Sequence, residues 1–105
     1  MLNNRTNEKH KQQFPNRRAI RRACDKELYR TVKRLKTWIS PEHMKKAEDL
    51  YVQEVLLHLP FIVENGSNRK VLADWWAEHV SPSVAELWNV EASTLNQAFR
   101  DSFGG

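Results

Sequence analysis

From Asn16 onward, apolar side chains recur every three or four positions: Ile20, Ala23/Cys24, Leu28, Val32, Leu35 and Trp38/Ile39. That spacing keeps one face of a helix apolar for about five turns, and Asn16 is placed to cap its start. Ser40-Pro41-Glu42 opens a second helix. Serine satisfies the free amides, proline at the first helical position forfeits no hydrogen bond, and glutamate suits the positive helix end. Met44, Ala47, Leu50/Tyr51, Val55 and Leu57 or Leu59 line its apolar face as far as Pro60. Leu56-Leu57-His58-Leu59-Pro60-Phe61-Ile62-Val63 is the most apolar run, expected near the core centre with a short extended piece after Pro60. Glu64-Asn65-Gly66-Ser67-Asn68 reads as a turn. A third helix carries Val71/Leu72, Trp75/Trp76 and His79/Val80. Ser81-Pro82 repeats the cap-plus-proline signal for a short fourth helix to Trp88. A fifth runs from Ala92 to Phe103 and stops at Gly104-Gly105. The pattern therefore predicts an all-α fold: a compact bundle of about five helices forming one domain over 16–105, preceded by a flexible basic arm over 1–15.

Composition supports that reading. The 105 residues hold three glycines and four prolines, too little punctuation for a many-turned β architecture. The single cysteine, Cys24, allows no internal disulfide and suits a reducing compartment. No segment approaches the ~20 apolar residues that span a bilayer, and the polar start MLNNRTNEKHKQQ has no signal-peptide core. The expected address is the cytoplasm, without membrane association.

Charge changes the picture more. Residues 1–39 carry twelve Lys/Arg against Glu8, Asp25 and Glu27, a net of +9. Residues 40–105 carry five against ten acidic groups, a net of −5, giving +4 in all. The face of the first helix opposite its apolar stripe holds Arg18, Arg22, Lys26, Arg30, Lys33 and Lys36, with Arg17, Arg21 and Arg34 alongside. Such a face suits phosphates of nucleic acid. It can also be partly neutralised by acidic residues of the same chain, among them Glu42, Glu48, Asp49, Glu54 and Glu64. The assigned phosphate-binding residues are Arg17, Arg18, Arg21, Arg22, Lys26, Arg30, Lys33 and Arg34.

The stretch Val84-Ala85-Glu86-Leu87-Trp88-Asn89-Val90-Glu91-Ala92-Ser93-Thr94-Leu95-Asn96-Gln97-Ala98-Phe99-Arg100 resembles the helix-turn-helix motif of DNA-binding regulators. Ala85 is small where two crossing helices approach. Asn89 tolerates the positive φ that the tight turn needs. Val90 and Leu95 are the inward aliphatics, and Val84, Trp88 and Phe99 complete a small core. The resemblance implies a unit over 82–103 whose second helix enters the major groove of duplex DNA. Ser93, Asn96, Gln97 and Arg100 would then read bases: Asn and Gln suit adenine, Arg suits guanine. Ala98 is smaller than the aliphatic usual in the motif. Glu86, Glu91 and Asp101 surround the reading helix, so phosphate affinity must come from the basic helix and arm.

Nothing points to catalysis. The four histidines are scattered. Glu54 and His58 share a helical face and Glu78-His79 are adjacent, yet no zinc-protease pattern or Cys/His cluster is formed. Cys24 reads as a small buried hydrophobe, and there is no glycine-rich phosphate loop. No catalytic residue, metal ligand or cofactor is assigned. All four tryptophans read first as core. Trp75 and Trp76 point about 100° apart on a helix, so one is expected at the surface, and Trp76 is the candidate interface residue. The expected activity is binding of duplex DNA as a small transcriptional regulator of bacterial, phage or plasmid type, with homodimerisation expected. Two alternatives stand beside it. In one, an acidic C-terminal bundle docks on another protein through exposed Trp76 and Glu78. In the other, the arginine-rich helix binds RNA.

Overall fold

The computed structural model describes residues 14–105. Six helices follow one another with no strand among the described residues: α1 (Arg17–Leu35), α2 (Pro41–Leu57), α3 (Leu59–Glu64), α4 (Arg69–His79), α5 (Ser81–Trp88) and α6 (Ala92–Phe103). The all-α fold is as the periodicity predicts. Of the basic arm expected over 1–15, residues 1–13 lie outside the described residues, and Phe14 and Pro15 lead exposed into α1.

The helix starts follow their capping chemistry. Asn16 accepts from the Ala19 amide at 2.8 Å, Ser40 from the His43 amide at 3.1 Å and Asn68 from the Val71 amide at 3.1 Å, each satisfying an amide that has no partner within its helix. Ser81-Pro82 behaves differently from expectation. Ser81 lies inside α5 with Val80 as the capping position, and the serine side chain makes no cap bond. The Val80 amide still donates to Trp76 and its carbonyl already accepts from Val84, so backbone hydrogen bonding continues from α4 into α5 and leaves few bare amides to cap.

A sixth helix replaces the extended piece expected after Pro60. Proline has no amide hydrogen and clashes with the carbonyl four residues back, so α2 cannot continue through it. In the first turn of a new helix neither defect matters. The chain kinks at His58 (φ −115°, ψ 28°) and α3 restarts with Pro60 in its first turn. Leu57, at the end of α2, is left exposed, whereas Leu59 packs against the core.

The α1 helix packs most extensively on α6, then on α2, while α5 joins α2, α4 and α6. Ile20, Cys24, Leu28 and Thr31 form the buried stripe of α1, and the Thr31 and Ser102 hydroxyls meet at 3.3 Å between α1 and α6. The core is aromatic. Trp76 stacks on Phe99 with centroids 3.9 Å apart and planes 3° from parallel. Tyr51 touches Trp75, Trp76 and Phe99 from α2. Trp88 donates its indole N–H to the His43 carbonyl at 3.1 Å, tying α5 to the start of α2.

Two tryptophan expectations are corrected. Trp76 is only 1% exposed and offers no interface. The expectation supposed a core on one side of α4, but α2, α5 and α6 surround it, so adjacent tryptophans both find buried neighbours. Trp38, read as core, is 80% exposed. The α1 helix ends at Leu35 and Lys36 turns left-handed at φ 58°, which takes Trp38 off the apolar stripe while Ile39 still reaches the core.

Candidate nucleic-acid interface

The α5–α6 unit is joined by a turn of three residues, Asn89, Val90 and Glu91. Asn89 adopts φ 57°, ψ 49°, the left-handed conformation its short polar side chain tolerates. The Asn89 amide donates to Glu86 and the Val90 amide reaches back to Ala85 at 3.0 Å. This paired closure satisfies carbonyls at the helix end. Val84, Ala85, Trp88, Leu95, Ala98 and Phe99 are buried, and Val90 packs at the core edge. Ala98 lies where α6 meets α1, and its small side chain leaves room for that approach; Phe99 turns inward to Trp76.

The outer surface of α6 divides the four base-reading candidates. Ser93 and Gln97 are exposed, with the Gln97 amide donating to Asp101 at 2.9 Å. Asn96 is half-buried and its side-chain oxygen has no hydrogen-bond partner among the described residues. Arg100 turns to α4, where its guanidinium donates to Asp74 at 2.6 Å. That bond, aided by nearby Lys70, holds the Asp74 carboxyl below the usual aspartate range. Ser93 and Gln97 therefore stand on the face toward α1, and Arg100 on the flank toward α4.

The basic residues of α1 also divide. Arg21 donates to Glu48 and, at 3.0 Å, to Asp49 of α2, so it is an internal counter-ion and not the open phosphate contact expected. Among the described residues it is the one basic side chain of α1 in an ion pair. Arg17, Arg18 and Arg22 are exposed at the N-terminal end, with Lys26 between the ends. Arg30, Lys33 and Arg34 occupy the last turns, with Lys33 over the Tyr29 ring at 4.8 Å. At 1.5 Å per residue, Arg18 and Lys33 are separated by about 22 Å along the axis.

The C-terminal basic cluster and α6 form one feature. Arg30, Lys33, Arg34 and Lys36 face Ser93, Thr94 and Gln97 across an open groove of about 900 Å³. Lys36 and Thr94 were not assigned roles from sequence. Lys36 belongs to the visible basic face, but Thr94 shares no pattern with it until α1 and α6 are packed together. The one acidic side chain lining the groove is Asp101. Donors of both kinds, cationic groups for phosphates and a serine, a threonine and an amide for base edges, thus open on one side of the molecule.

Cys24 is buried, and desolvation pushes its thiol up to about 12, an inert state at neutral pH. Away from the groove, Glu54, His58 and His79 bring one metal-ligating atom each to within 4.8 Å of one another. No described helix is long and apolar enough to cross a membrane. Comparison with known proteins finds no matching family model, no matching curated protein and no matching solved structure.

Proposed function

We propose that this chain binds duplex DNA as a small cytoplasmic transcriptional regulator, without catalytic activity. The observation that carries the reading is the groove in which Arg30, Lys33, Arg34 and Lys36 stand beside the exposed Ser93, Thr94 and Gln97 of α6. Phosphate neutralisation supplies most of the affinity of such complexes, and base edges supply the preference. The acidic surroundings of α6 seen in sequence are offset at its outer face by side chains of α1. In this reading Ser93 and Gln97 meet bases directly. Arg100 is bonded to Asp74 of α4 in the free protein and reaches DNA only if it leaves that carboxylate, while Asn96 is half-buried. A single short reading helix gives little specificity, so two chains are expected to occupy paired half-sites.

The protein-docking alternative through Trp76 loses its anchor, because that ring is buried. RNA binding by α1 alone stays as an outcome of the deciding experiment, a titration of duplex DNA, single-stranded DNA and structured RNA across a salt series. Tight duplex binding with a steep salt slope and a recoverable preferred sequence is expected. Binding to RNA in preference, or sequence-blind binding that vanishes near physiological salt, would overturn the proposal.

A further inference from the structure

We propose that Glu54, His58 and His79 form a binding site for one divalent transition-metal ion of the zinc type, clamping the end of α2 to the end of α4. This inference is independent of the DNA reading. Glu54 lies in the last turn of α2 and His58, four residues on, caps that helix, close to the spacing that puts two side chains on one helical face. His79 comes from the last turn of α4. Its ring lies against that of His58, with centroids 4.5 Å apart. One oxygen or nitrogen from each of the three residues lies within 4.8 Å of the other two. Two imidazoles and one carboxylate are a donor set that zinc uses with an open fourth position, and imidazole favours zinc and its neighbours over magnesium or calcium.

The surroundings suit that occupant. His58 Nδ1 lies 3.1 Å from the Glu54 backbone carbonyl. The same nitrogen is 3.8 Å from Glu54 Oε1. With the proton on Nδ1 and donated to the carbonyl, Nε2 keeps its lone pair for the ion, an arrangement that metal-binding histidines commonly share, and the Glu54 carboxylate must swing toward Nε2 to join it. Trp75 packs against both imidazoles, at 5.8 Å from each. It limits the rings' motion and walls one side of the cluster. All three candidate ligands are half-buried. His58 and His79, with Trp75, Phe61 and Glu78, also line an open groove of about 380 Å³, which leaves an entry path to the two imidazoles. Glu78 Oε1 lies 3.9 Å from His79 Nε2 and adds negative charge beside the site. Bonds of about 2.0–2.1 Å to a tetrahedral ion place donors about 3.3 Å apart. The donor atoms, up to 4.8 Å apart here, must therefore draw together by rotamer changes of the half-exposed side chains.

The test is calorimetric titration of the full, untagged chain with zinc chloride, with cobalt(II) absorption as a readout of coordination. One zinc per chain is expected, with cobalt giving visible bands that zinc abolishes and magnesium does not. His58→Ala and His79→Ala should each weaken zinc at least about tenfold, since even outer partners of metal ligands cost about 10–100-fold; the double variant His10→Ala/His43→Ala should bind as the parent does. His58→Asn and His79→Gln, which keep polar side chains of similar reach, serve if an alanine variant loses its helical circular dichroism. No stoichiometric zinc binding, or binding that survives loss of His58 and His79 but not of His10 and His43, would overturn the assignment.

Discussion

Asn89 carries a conformational demand that its chemistry explains. Its φ of 57° costs a β-branched residue steric energy that asparagine partly avoids and glycine avoids altogether. Asn89→Gly should leave urea-unfolding stability within about 1 kcal/mol of the parent, whereas Asn89→Val should lose about 1–2 kcal/mol. Asp74 makes a second residue-scale prediction. Its folded carboxyl titrates below the ordinary range because Arg100 bonds to it. A depressed carboxylate adds stability above the unfolded value and loses it as pH falls through the folded one. Acid should therefore release Arg100, as should Asp74→Asn at neutral pH. If the freed guanidinium reaches phosphate, Asp74→Asn tightens duplex binding a few-fold; unchanged affinity would place Arg100 outside the interface. Cys24 runs the other way. Its thiol rises from 9.0 to about 12 on burial, so its stabilising contribution is whole below about pH 9 and declines towards about pH 12. Thiol labelling at neutral pH should follow global unfolding, not a fast surface reaction.

At the scale of elements, α1 has two basic ends with different neighbours. Its C-terminal turns border the groove, while Arg21 is spent on Glu48 and Asp49 of α2. Charge reversal at Arg30 and Lys33 should weaken duplex binding and flatten the log–log salt dependence by about one unit per lost phosphate contact. Arg21→Ala should leave that slope unchanged. On α6, replacing Ser93 and Gln97 with alanine should erase sequence preference while retaining non-specific affinity. An intact preference in that variant would place the reading surface elsewhere. Both results come from fluorescence anisotropy with a preferred and a scrambled duplex.

At the scale of the whole molecule, the stacked Trp76–Phe99 pair joins α4 to α6 and, with Tyr51, to α2. Removing so large a buried ring leaves a cavity that the backbone only partly fills. Trp76→Ala should cost about 3–5 kcal/mol, measured by denaturant unfolding. Trp38→Ala should cost far less, because that ring is 80% exposed, and it should remove the most solvent-quenchable part of the fluorescence. Equal losses from both substitutions would contradict this division of the tryptophans.

Periodicity and capping chemistry are local, and so they were legible along the chain. The apolar stripe of α1, the caps at Asn16 and Ser40, the left-handed Asn89 and the stop at Gly104 all depend on residues within a turn or two of each other. So did the buried face of the α5–α6 unit. Packing decided the rest. Whether Trp75 or Trp76 is buried depends on how many neighbours surround α4. Whether Arg21 or Arg30 is open depends on which helix lies alongside. The grouping of Arg30, Lys33 and Arg34 with Ser93 and Gln97, and the arrival of His79 beside Glu54 and His58, join residues that no sequence spacing connects. The helices and their apolar faces could be read from local order alone, because backbone hydrogen bonding and burial periodicity act over a few residues. Which polar side chains meet was settled by packing, because charges and ligands act through space and the chain brings distant positions together only once its core has closed.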